Sequence, residues 1–394
     1  MGSDSCTKLP FATSFDLISY SGWHFDAVGV SAFRNLRKFT LRAEDDDGFA
    51  DMGEVRTVLD KNEHTLRHLI LGAYLARHHS WDSAFQSVTI KNLTHLDLVD
   101  TRISHIVLAR IAHAHNLQSL TLHGIFEEPS SAAVVFASDH VIDGVHTFLP
   151  HLMAFRFVLV GHDDEYALYH SVTRFLRQRK KLRRLDLGSC PWELVLGVLP
   201  ELSSLRVLGV RIANLGESAL DALVDAIPEQ MLAINLSTVI SDKPLVCFFF
   251  FLHRGIFITK YNLRLFQHEY ATSFSSFPAL SFLHLQSANK RRPKPNLMSE
   301  KDFQVQTDMW ISSARSVATA ITSLDFLGWH GEHYVVVRTE HGNNGYGSLE
   351  LKELPTRRRL DCGKGVDLGG EDAAWLERKD VPMDYEMPGL RILE

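Results

Sequence analysis

The chain has 394 residues and carries 41 Lys and Arg against 47 Asp and Glu, for a formal net charge of −6. This near-balance argues against the broad positive charge with which proteins bind nucleic acid or anionic membrane surfaces. Hydrophobic residues make up 45% of the sequence and charged residues 22%, which excludes a wholly disordered chain.

Cysteine usage and apolar runs indicate an intracellular protein. The longest apolar run, 245–252, has eight residues, whereas roughly 20 are needed to span a bilayer. The first residues lack the apolar core of a signal peptide. The cysteines are far apart and form no CxxC pair, which argues against a disulfide framework and a zinc finger; they are Cys6, Cys190, Cys247 and Cys362. We expect a cytoplasmic or nuclear protein that binds neither membrane nor nucleic acid.

A seven-residue motif with the pattern xLxxLxL recurs along the chain. Successive copies mostly begin 23 to 35 residues apart, and the last two intervals widen to 49 and 44. The close copies are NLRKFTL (35–41), TLRHLIL (65–71), NLTHLDL (92–98), NLQSLTL (116–122), KLRRLDL (181–187) and SLRVLGV (204–210). Weaker copies are HLMAFRF (151–157), QMLAINL (230–236), ALSFLHL (279–285) and SLDFLGW (323–329).

The end of each motif predicts a short strand, because alternate side chains of a strand point to the same face. Between copies, apolar residues three and four apart predict helices within 105–116, 166–181 and 217–230. In the first helix, Ile106, Val107 and Ile111 are expected to share the buried face. A single strand–helix repeat cannot bury its apolar faces alone. Stacked repeats are therefore expected to form a curved α/β solenoid, with strands on the concave face and helices on the convex face.

These motifs resemble the leucine-rich-repeat superfamily, particularly the long repeats of ribonuclease-inhibitor-like proteins and of fungal F-box/LRR-like proteins. The resemblance implies degenerate repeats over 35–329, an N-terminal segment or cap at 1–34, and a C-terminal hairpin and polar tail at 330–394. The alternative is a mixed α/β domain whose strands happen to begin with leucine. Two observations favour that alternative: the spacing of the copies is irregular, and the asparagine expected after the last leucine of each repeat is not consistently present.

The interval of 49 contains the unusual segment LVCFFFFLHRGIFITKYNLRLFQ at 245–267. One hypothesis is that 246–267 translates a retained intron, because a Phe run implies a T-rich tract and Phe266-Gln267 can be encoded as TTTCAG. Removing those 22 residues would shorten the interval to 27, which matches its neighbours. The alternative is a genuine insertion, with a buried apolar strand followed by a loop.

The C-terminal part changes in character. A basic, proline-broken loop within 286–307 contains KRRPKP (290–295), which suits either a nuclear-localisation patch or a solvated loop. A helix is predicted at 308–324 and a hairpin from strands at 332–340 and 348–354. A short helical piece follows near 371–379.

The family resemblance implies a substrate receptor of an SCF-type ubiquitin ligase, which would dock a Skp-type adaptor and a cullin through an F-box. Leu9-Pro10 matches the opening dipeptide of an F-box, but FATSFDLISYSGWHFDAVG does not continue its helical pattern. No F-box is recognisable. The alternative is a ligase-independent scaffold or inhibitor of the ribonuclease-inhibitor type.

Motifs of catalysis are absent from the sequence. It contains no HExxH, G-x-S-x-G, P-loop or dinucleotide fingerprint, and no nucleophile with an oriented base is evident. We expect a non-enzymatic protein with no cofactor and no metal site. The remaining alternative is a metal-dependent enzyme around His330 and His333, beside Trp329.

The residue between the last two apolar positions of each copy is expected to point to the concave surface. This row is Thr40, Ile70, Asp97, Thr121, Arg156, Asp186, Gly209, Asn235 and His284. Its mixture of charged, polar and small residues suits a protein ligand better than a uniformly basic groove does. The predicted protein-binding residues are Asp97, Thr121, Arg156, Asp186 and Asn235.

Overall fold

The computed structural model describes residues 13–19, 30–43, 52–72, 81–142, 145–160, 165–213, 217–239, 273–287, 292–339, 348–354 and 371–376. The chain divides into two compact units, and the described residues up to Arg179 belong to unit 1 while those from Lys180 belong to unit 2. Each unit repeats one arrangement, in which a strand is followed by a connection that usually contains a helix.

Unit 1 contains a parallel sheet in the order β1-β2-β3-β4-β5-β8. Its strands are β1 Ser14–Ser19, β2 Lys38–Ala43, β3 His68–Gly72, β4 His95–Ile103, β5 Ser119–Phe126 and β8 Ala154–Leu159. A separate antiparallel pair joins β6 Val141–Ile142 to β7 Val145–His146. The helices are α1 Met52–Asn62, α2 Ser87–Ile90, α3 His105–Ile111, α4 Pro129–Ala137 and α5 Tyr166–Leu176, and a 3₁₀ turn lies at Val30–Ala32.

Unit 2 continues the pattern with parallel strands in the order β9-β10-β11-β12-β13, followed by antiparallel β14 and β15. The strands are β9 Arg184–Asp186, β10 Val207–Ala213, β11 Ala233–Val239, β12 Phe282–Ser287, β13 Phe326–Trp329, β14 Glu332–Thr339 and β15 Ser348–Glu353. The helices are α6 Trp192–Val198, α7 Glu217–Ala226, α8 Glu300–Ala320 and α9 Glu371–Leu376, with 3₁₀ turns at Leu199–Glu201 and Pro295–Leu297.

All ten sequence motifs lead into a strand of these sheets. The first apolar residue of every copy is at most 2% exposed; these are Leu36, Leu66, Leu93, Leu117, Leu152, Leu182, Leu205, Met231, Leu280 and Leu324. A shared hydrogen-bond pattern fixes the register. The carbonyl of Arg67 accepts bonds from the backbone N–H groups of Thr94 and His95 at 2.8 and 3.0 Å, and the carbonyl of Arg206 accepts two in the same way. The repeated parallel strand–helix arrangement agrees with the expected leucine-rich-repeat architecture.

Some local predictions were wrong. In α3 the buried residues are Val107, Leu108 and Ile111, whereas Ile106 is 40% exposed. The Ser104 side chain accepts a bond from the Val107 N–H and sets the start of this helix, so the apolar stripe begins one residue later than expected. Helix α8 begins at Glu300 instead of 308, because Ser299 caps it and acidic residues occupy its first turn. Strand β1 had no counterpart among the sequence predictions.

The long interval leaves the sheet undisturbed. Strands β11 and β12 pair directly over six residues, from Ala233 opposite Phe282 to Thr238 opposite Ser287. The segment 246–267 lies outside the described residues. The repeats on either side of it meet as neighbours.

In the C-terminal part, β14 and β15 pair antiparallel in the segments where the hairpin is predicted. In the basic loop, the Arg292 guanidinium donates to the Glu353 carboxylate at 2.5 Å and lies 3.8 Å from that of Glu332. The hydrogen bond to Glu353 raises the pKa of Arg292. Within the described part of the chain, no helix is both long and apolar enough to cross a membrane.

One buried ion pair ties the end of unit 1 together. Arg179 and Asp139 are 2% and 5% exposed at their side chains, and the guanidinium donates to the carboxylate at 2.9 Å. Arg179 also donates to the Phe148 carbonyl and stacks 4.3 Å from the centre of the Phe175 ring. The other Asp139 oxygen accepts the backbone N–H of Phe148 at 2.9 Å. Burial lowers the pKa of Arg179, and the Asp139 carboxylate opposes that shift.

Candidate functional site

The strand register aligns the residues of the predicted row across neighbouring strands of each unit. In unit 1, each row residue lies opposite the row residue of the adjacent strand. From β2 to β8 these residues are Thr40, Ile70, Asp97, Thr121 and Arg156. In unit 2 the aligned residues are Asp186, Gly209, Asn235, His284 and Gly328, and β14 adds His333 opposite Gly328. The sheet face that carries these residues is called the row face below. The apolar residues of the motifs lie on the opposite face, since side chains alternate along a strand.

The five predicted binding residues differ in exposure. Asp97 and Thr121, in unit 1, are each only 3% exposed. Arg156, in unit 1, and Asp186 and Asn235, in unit 2, are half-buried. The structure therefore aligns the five positions within their units, but accessible side chains remain at only three of them.

Glycines form part of the row face in unit 2. A Cβ built on Gly209 would lie 2.8 Å from the Asp186 carboxyl carbon and 3.0 Å from Leu376 Cδ1. A Cβ on Gly328 would lie 2.3 Å from Cγ of the His284 ring. Neighbouring side chains thus use the space that a side chain at either position would fill.

Helix α9 lies against the row face of unit 2, over β10 and β11. Leu376 packs against the space that the missing side chain of Gly209 leaves in the row face. At the other end, Arg184 Nε donates to Asp372 Oδ1 at 2.6 Å, and a second guanidinium nitrogen lies 3.5 Å from the exposed Glu371 carboxylate. Asp372 and Leu376 are four residues apart, so a helix presents both on one side. Part of the row face of unit 2 is thereby covered by a segment of the same chain.

The sequence of α9 explains its one-sided burial. Acidic residues occupy its first turn, where carboxylates suit the helix dipole. Ala373, Trp375 and Leu376 follow and are between 5% and 9% exposed, while Glu371 stays exposed. A six-residue helix is too short to be stable alone. Its order therefore depends on what these residues contact.

Two histidines complete the row face beside α9. His284 and His333 are 3% and 7% exposed, and their ring centres are 5.1 Å apart. The His284 Nε2 atom accepts the Gly331 N–H at 3.2 Å, and Nδ1 lies 3.4 Å from the Asn235 amide nitrogen. These contacts hold the ring in one orientation.

His330 lies apart from this cluster in the turn between β13 and β14. Its ring centre is 4.5 Å from that of Trp329 and 5.3 Å from that of Trp310, and its Nδ1 accepts the Ser287 N–H at 3.0 Å. His330 has φ +49° and Gly331 φ +96°, as a tight two-residue turn requires. Among the described residues, no group of three or more His, Cys, Asp or Glu could hold a metal ion. Within the described part of the chain, His330 and His333 therefore belong to no such metal-binding group.

A polar cleft of about 390 Å³ lies where the strands of unit 1 begin. Residues that line this cleft donate hydrogen bonds to backbone carbonyl groups of the preceding repeat. The Thr94 hydroxyl donates to the Arg67 carbonyl at 3.1 Å, and the Asn92 amide donates to the Glu63 carbonyl at 3.1 Å. Comparable polar residues recur at the corresponding edge of unit 2, including Arg183 and Arg206. This cleft belongs to the repeat turns and contains no paired acid and base.

The sequence motif predicted which residues align in the row, but it did not predict that α9 lies against them in unit 2. Arg184 and Asp372 are 188 positions apart in the chain, and no local pattern links them. The available signals were the glycine at row position 209 and the acidic-then-apolar sequence EDAAWL at 371–376. Neither signal specifies the other.

Comparisons with known proteins gave no family model and no curated protein that matches this chain. A leucine-rich-repeat protein of Legionella pneumophila, LegL7, is 14% identical over 77% of this chain and 92% of its own, with a TM-score of 0.39. An internalin of Listeria monocytogenes, InlF, is 14% identical over 64% and 68%, with a TM-score of 0.29. The mouse RP105/MD-1 complex matches at 12% identity over 66% and 53%, with a TM-score of 0.23. These scores are too low to support an argument about fold or function.

Proposed function

We propose that this chain is a non-enzymatic protein-binding module of the leucine-rich-repeat type, acting in the cytoplasm or nucleus. Its row face binds a protein ligand, and the predicted contacts are Asp97, Thr121, Arg156, Asp186 and Asn235. The observation that carries the proposal is the row face of unit 2. There Arg184 and Gly209 already hold a polypeptide segment through an ion pair and a leucine contact.

The chemistry of the row supports a protein ligand over the alternatives. In strand order the row of unit 2 carries an acid at 186, a glycine at 209, an amide at 235, an imidazole at 284 and a glycine at 328. Protein interfaces combine such polar contacts with small apolar pockets. A nucleic-acid surface would instead need an array of basic side chains along the backbone path.

A more specific proposal is that the module serves as the substrate receptor of an SCF-type ubiquitin ligase, bound to a Skp-type adaptor and a cullin. It rests on the sequence resemblance to F-box/LRR-like proteins. Residues 14–19, in the segment after Leu9-Pro10, form strand β1 and pair with β2. The docking segment would therefore have to lie outside that strand. A ligase-independent scaffold or inhibitor has the same row face without an adaptor.

The test is quantitative affinity capture of the tagged full chain from its own cells, followed by mass spectrometry. The row variant carries Asp186→Arg and Asn235→Arg, and the matched control carries Asp221→Arg and Asp225→Arg on the exposed side of α7. The proposal predicts partners that the row variant loses by about tenfold or more and the control retains. Equal capture by both variants would contradict it. Recovery of a Skp-type adaptor and a cullin would establish the ligase role, and their absence would favour the scaffold.

A further inference from the structure

We infer that α9 is a self-ligand of the row face of unit 2, and that the external ligand of this face is a short helical protein segment of similar chemistry. Such a segment has a carboxylate near its first turn and a leucine or a residue of similar size four positions later. This inference rests on the proposed function and specifies its partner. The chain holds α9 where that partner would bind, so α9 and the partner compete.

The basic end of the site selects the carboxylate. The Arg184 side chain is 25% exposed and the Asp372 side chain 30%, so the 2.6 Å contact is partly shielded from water and remains within reach of an incoming group. A guanidinium presents donors in a fixed plane that matches a carboxylate. A segment with a neutral or basic residue at this position would leave Arg184 facing it without compensation.

The glycine end selects the apolar residue. Leu376 Cδ1 lies 3.0 Å from the position that a Gly209 Cβ would take, and Asp186 borders the same space. A larger row residue would exclude the leucine, whereas glycine allows the side chain to approach the backbone closely. Ala373 lies between the two anchors and is also buried, so a small residue is expected at the corresponding position of the partner.

The contacts that hold α9 suit a replaceable occupant. The ion pair at the start of α9 is partly exposed and therefore adds little to its stability, and α9 has only six residues. The partner must displace a segment tethered to the same chain, so its apparent affinity is reduced by the fraction of molecules in which the face is free. Release of α9 is therefore expected to increase binding without changing the face itself.

The test uses a fluorescein-labelled synthetic peptide, LGGEDAAWLERK, which corresponds to residues 368–379. Binding to the full-length chain is measured by fluorescence anisotropy. The released variant carries Asp372→Arg and Leu376→Asp in the full chain. We expect it to bind the peptide saturably and about tenfold or more tightly than the wild-type chain does. A peptide with the same two replacements is the matched control and should not bind.

Two further variants test the anchors one at a time. Gly209→Leu in the released chain should abolish binding of the peptide by filling the leucine space. Arg184→Asp in the released chain should weaken the original peptide about tenfold and favour a peptide carrying Asp372→Arg. Circular dichroism and thermal melting check that each variant is folded. If the released variant does not fold, Asp372→Ala alone serves in its place, with a smaller gain in peptide binding as the expected result.

Equal peptide binding by the wild-type and released chains, or equal binding of the original and control peptides, would overturn the inference. This outcome is distinct from failure of the proposed function. If the peptide does not bind but the row variant still loses cellular partners, the row face binds proteins of another chemistry. If the row variant keeps all its partners, the proposed function itself fails.

Discussion

Two arginines that are near neighbours in the chain make ion pairs with opposite character. Arg179, in unit 1, and its partner Asp139 have side chains only 2% and 5% exposed. Arg184, in unit 2, and its partner Asp372 are 25% and 30% exposed. Removing one member of a buried pair leaves a desolvated charge, whereas a partly exposed pair can exchange its partner with water or another ligand. Burial therefore distinguishes a structural tie from a releasable contact.

The row faces of the two units differ in a related way. In unit 1 every aligned row position from Thr40 to Arg156 carries a side chain, and the first four are at most 6% exposed. In unit 2 two of the five aligned positions are glycines. One repeat pattern thus builds two surfaces, because the residue between the leucines is free to vary while the leucines are not.

The largest expected effect separates the two ion pairs. Asp139→Ala should lower the free energy of unfolding by about 3–5 kcal/mol, because the Arg179 guanidinium would remain buried without its carboxylate. Asp372→Ala should cost about 1 kcal/mol or less. Urea unfolding followed by circular dichroism measures both. Similar losses of unfolding free energy in the two variants would contradict the distinction between a buried and a partly exposed ion pair.

A smaller loss of stability is expected when a side chain is added at Gly328 of the row face. Gly328→Ala should cost about 1–3 kcal/mol, since its Cβ would collide with the His284 ring. The double variant with His284→Ala should recover part of this loss, as a steric clash requires. Gly331→Ala is the control, because its φ of +96° adds backbone strain while the space around it is open. His284→Ala removes the acceptor of the Gly331 N–H, so it should restore no stability to that control. Thermal unfolding of these four variants and of His284→Ala alone measures the coupling.

Alkaline pH provides a test of unit 2 alone. Burial raises the pKa of Tyr334 above its ordinary value of 10, although the Trp310 N–H donates to its hydroxyl oxygen and opposes the shift. The folded state therefore binds the phenolic proton more tightly than the unfolded state does. Its stability contribution is complete below pH 10 and is lost as the pH rises through the folded-state pKa. Tyr334→Phe should reduce the decline in stability above pH 10, and an unchanged decline would show that other groups cause it.

The interior of unit 2 is expected to stay closed even when α9 leaves its row face. Cys190 is 4% exposed, and burial, with the nearby Glu193 carboxylate, raises the pKa of its thiol. In a chain with the other cysteines changed to serine, a thiol reagent should react with Cys190 about a thousandfold more slowly than in urea. Reaction of the native chain at the rate of a free thiol would contradict this closure.

The smallest effect on stability is expected from deleting the segment 246–267, which lies in the longest interval between motif copies. Because β11 and β12 pair directly, deletion of 246–267 should leave the circular dichroism spectrum and melting temperature nearly unchanged. Loss of folding in the deleted chain would show that the segment supports the sheet. Sequencing the spliced transcript through codons 240–270 tests the intron hypothesis separately, and a mature message that always keeps the segment would exclude it.

The sequence predicted the features that depend on local period. Leu93 and Leu205 could be placed in the interior because their motifs recur and each repeat must bury the same face. The start of α8 was missed because its first two turns are largely exposed and carry no buried apolar stripe, so the Ser299 cap and the acidic first turn alone mark that end. The α9 contact was missed for a different reason. It joins Arg184 to Asp372 through tertiary packing, which a single sequence does not encode as a pattern.

The most direct test of the central claim is site-specific photo-crosslinking in cells. A benzophenone side chain replaces Asn235 on the row face of unit 2 in one chain and the exposed Asp221 of α7 in another. A row face that binds protein predicts a discrete adduct with a partner from position 235 and none from position 221. The release substitutions Asp372→Arg and Leu376→Asp should increase the yield of that adduct. No adduct from position 235, or the same adducts from both positions, would contradict the account.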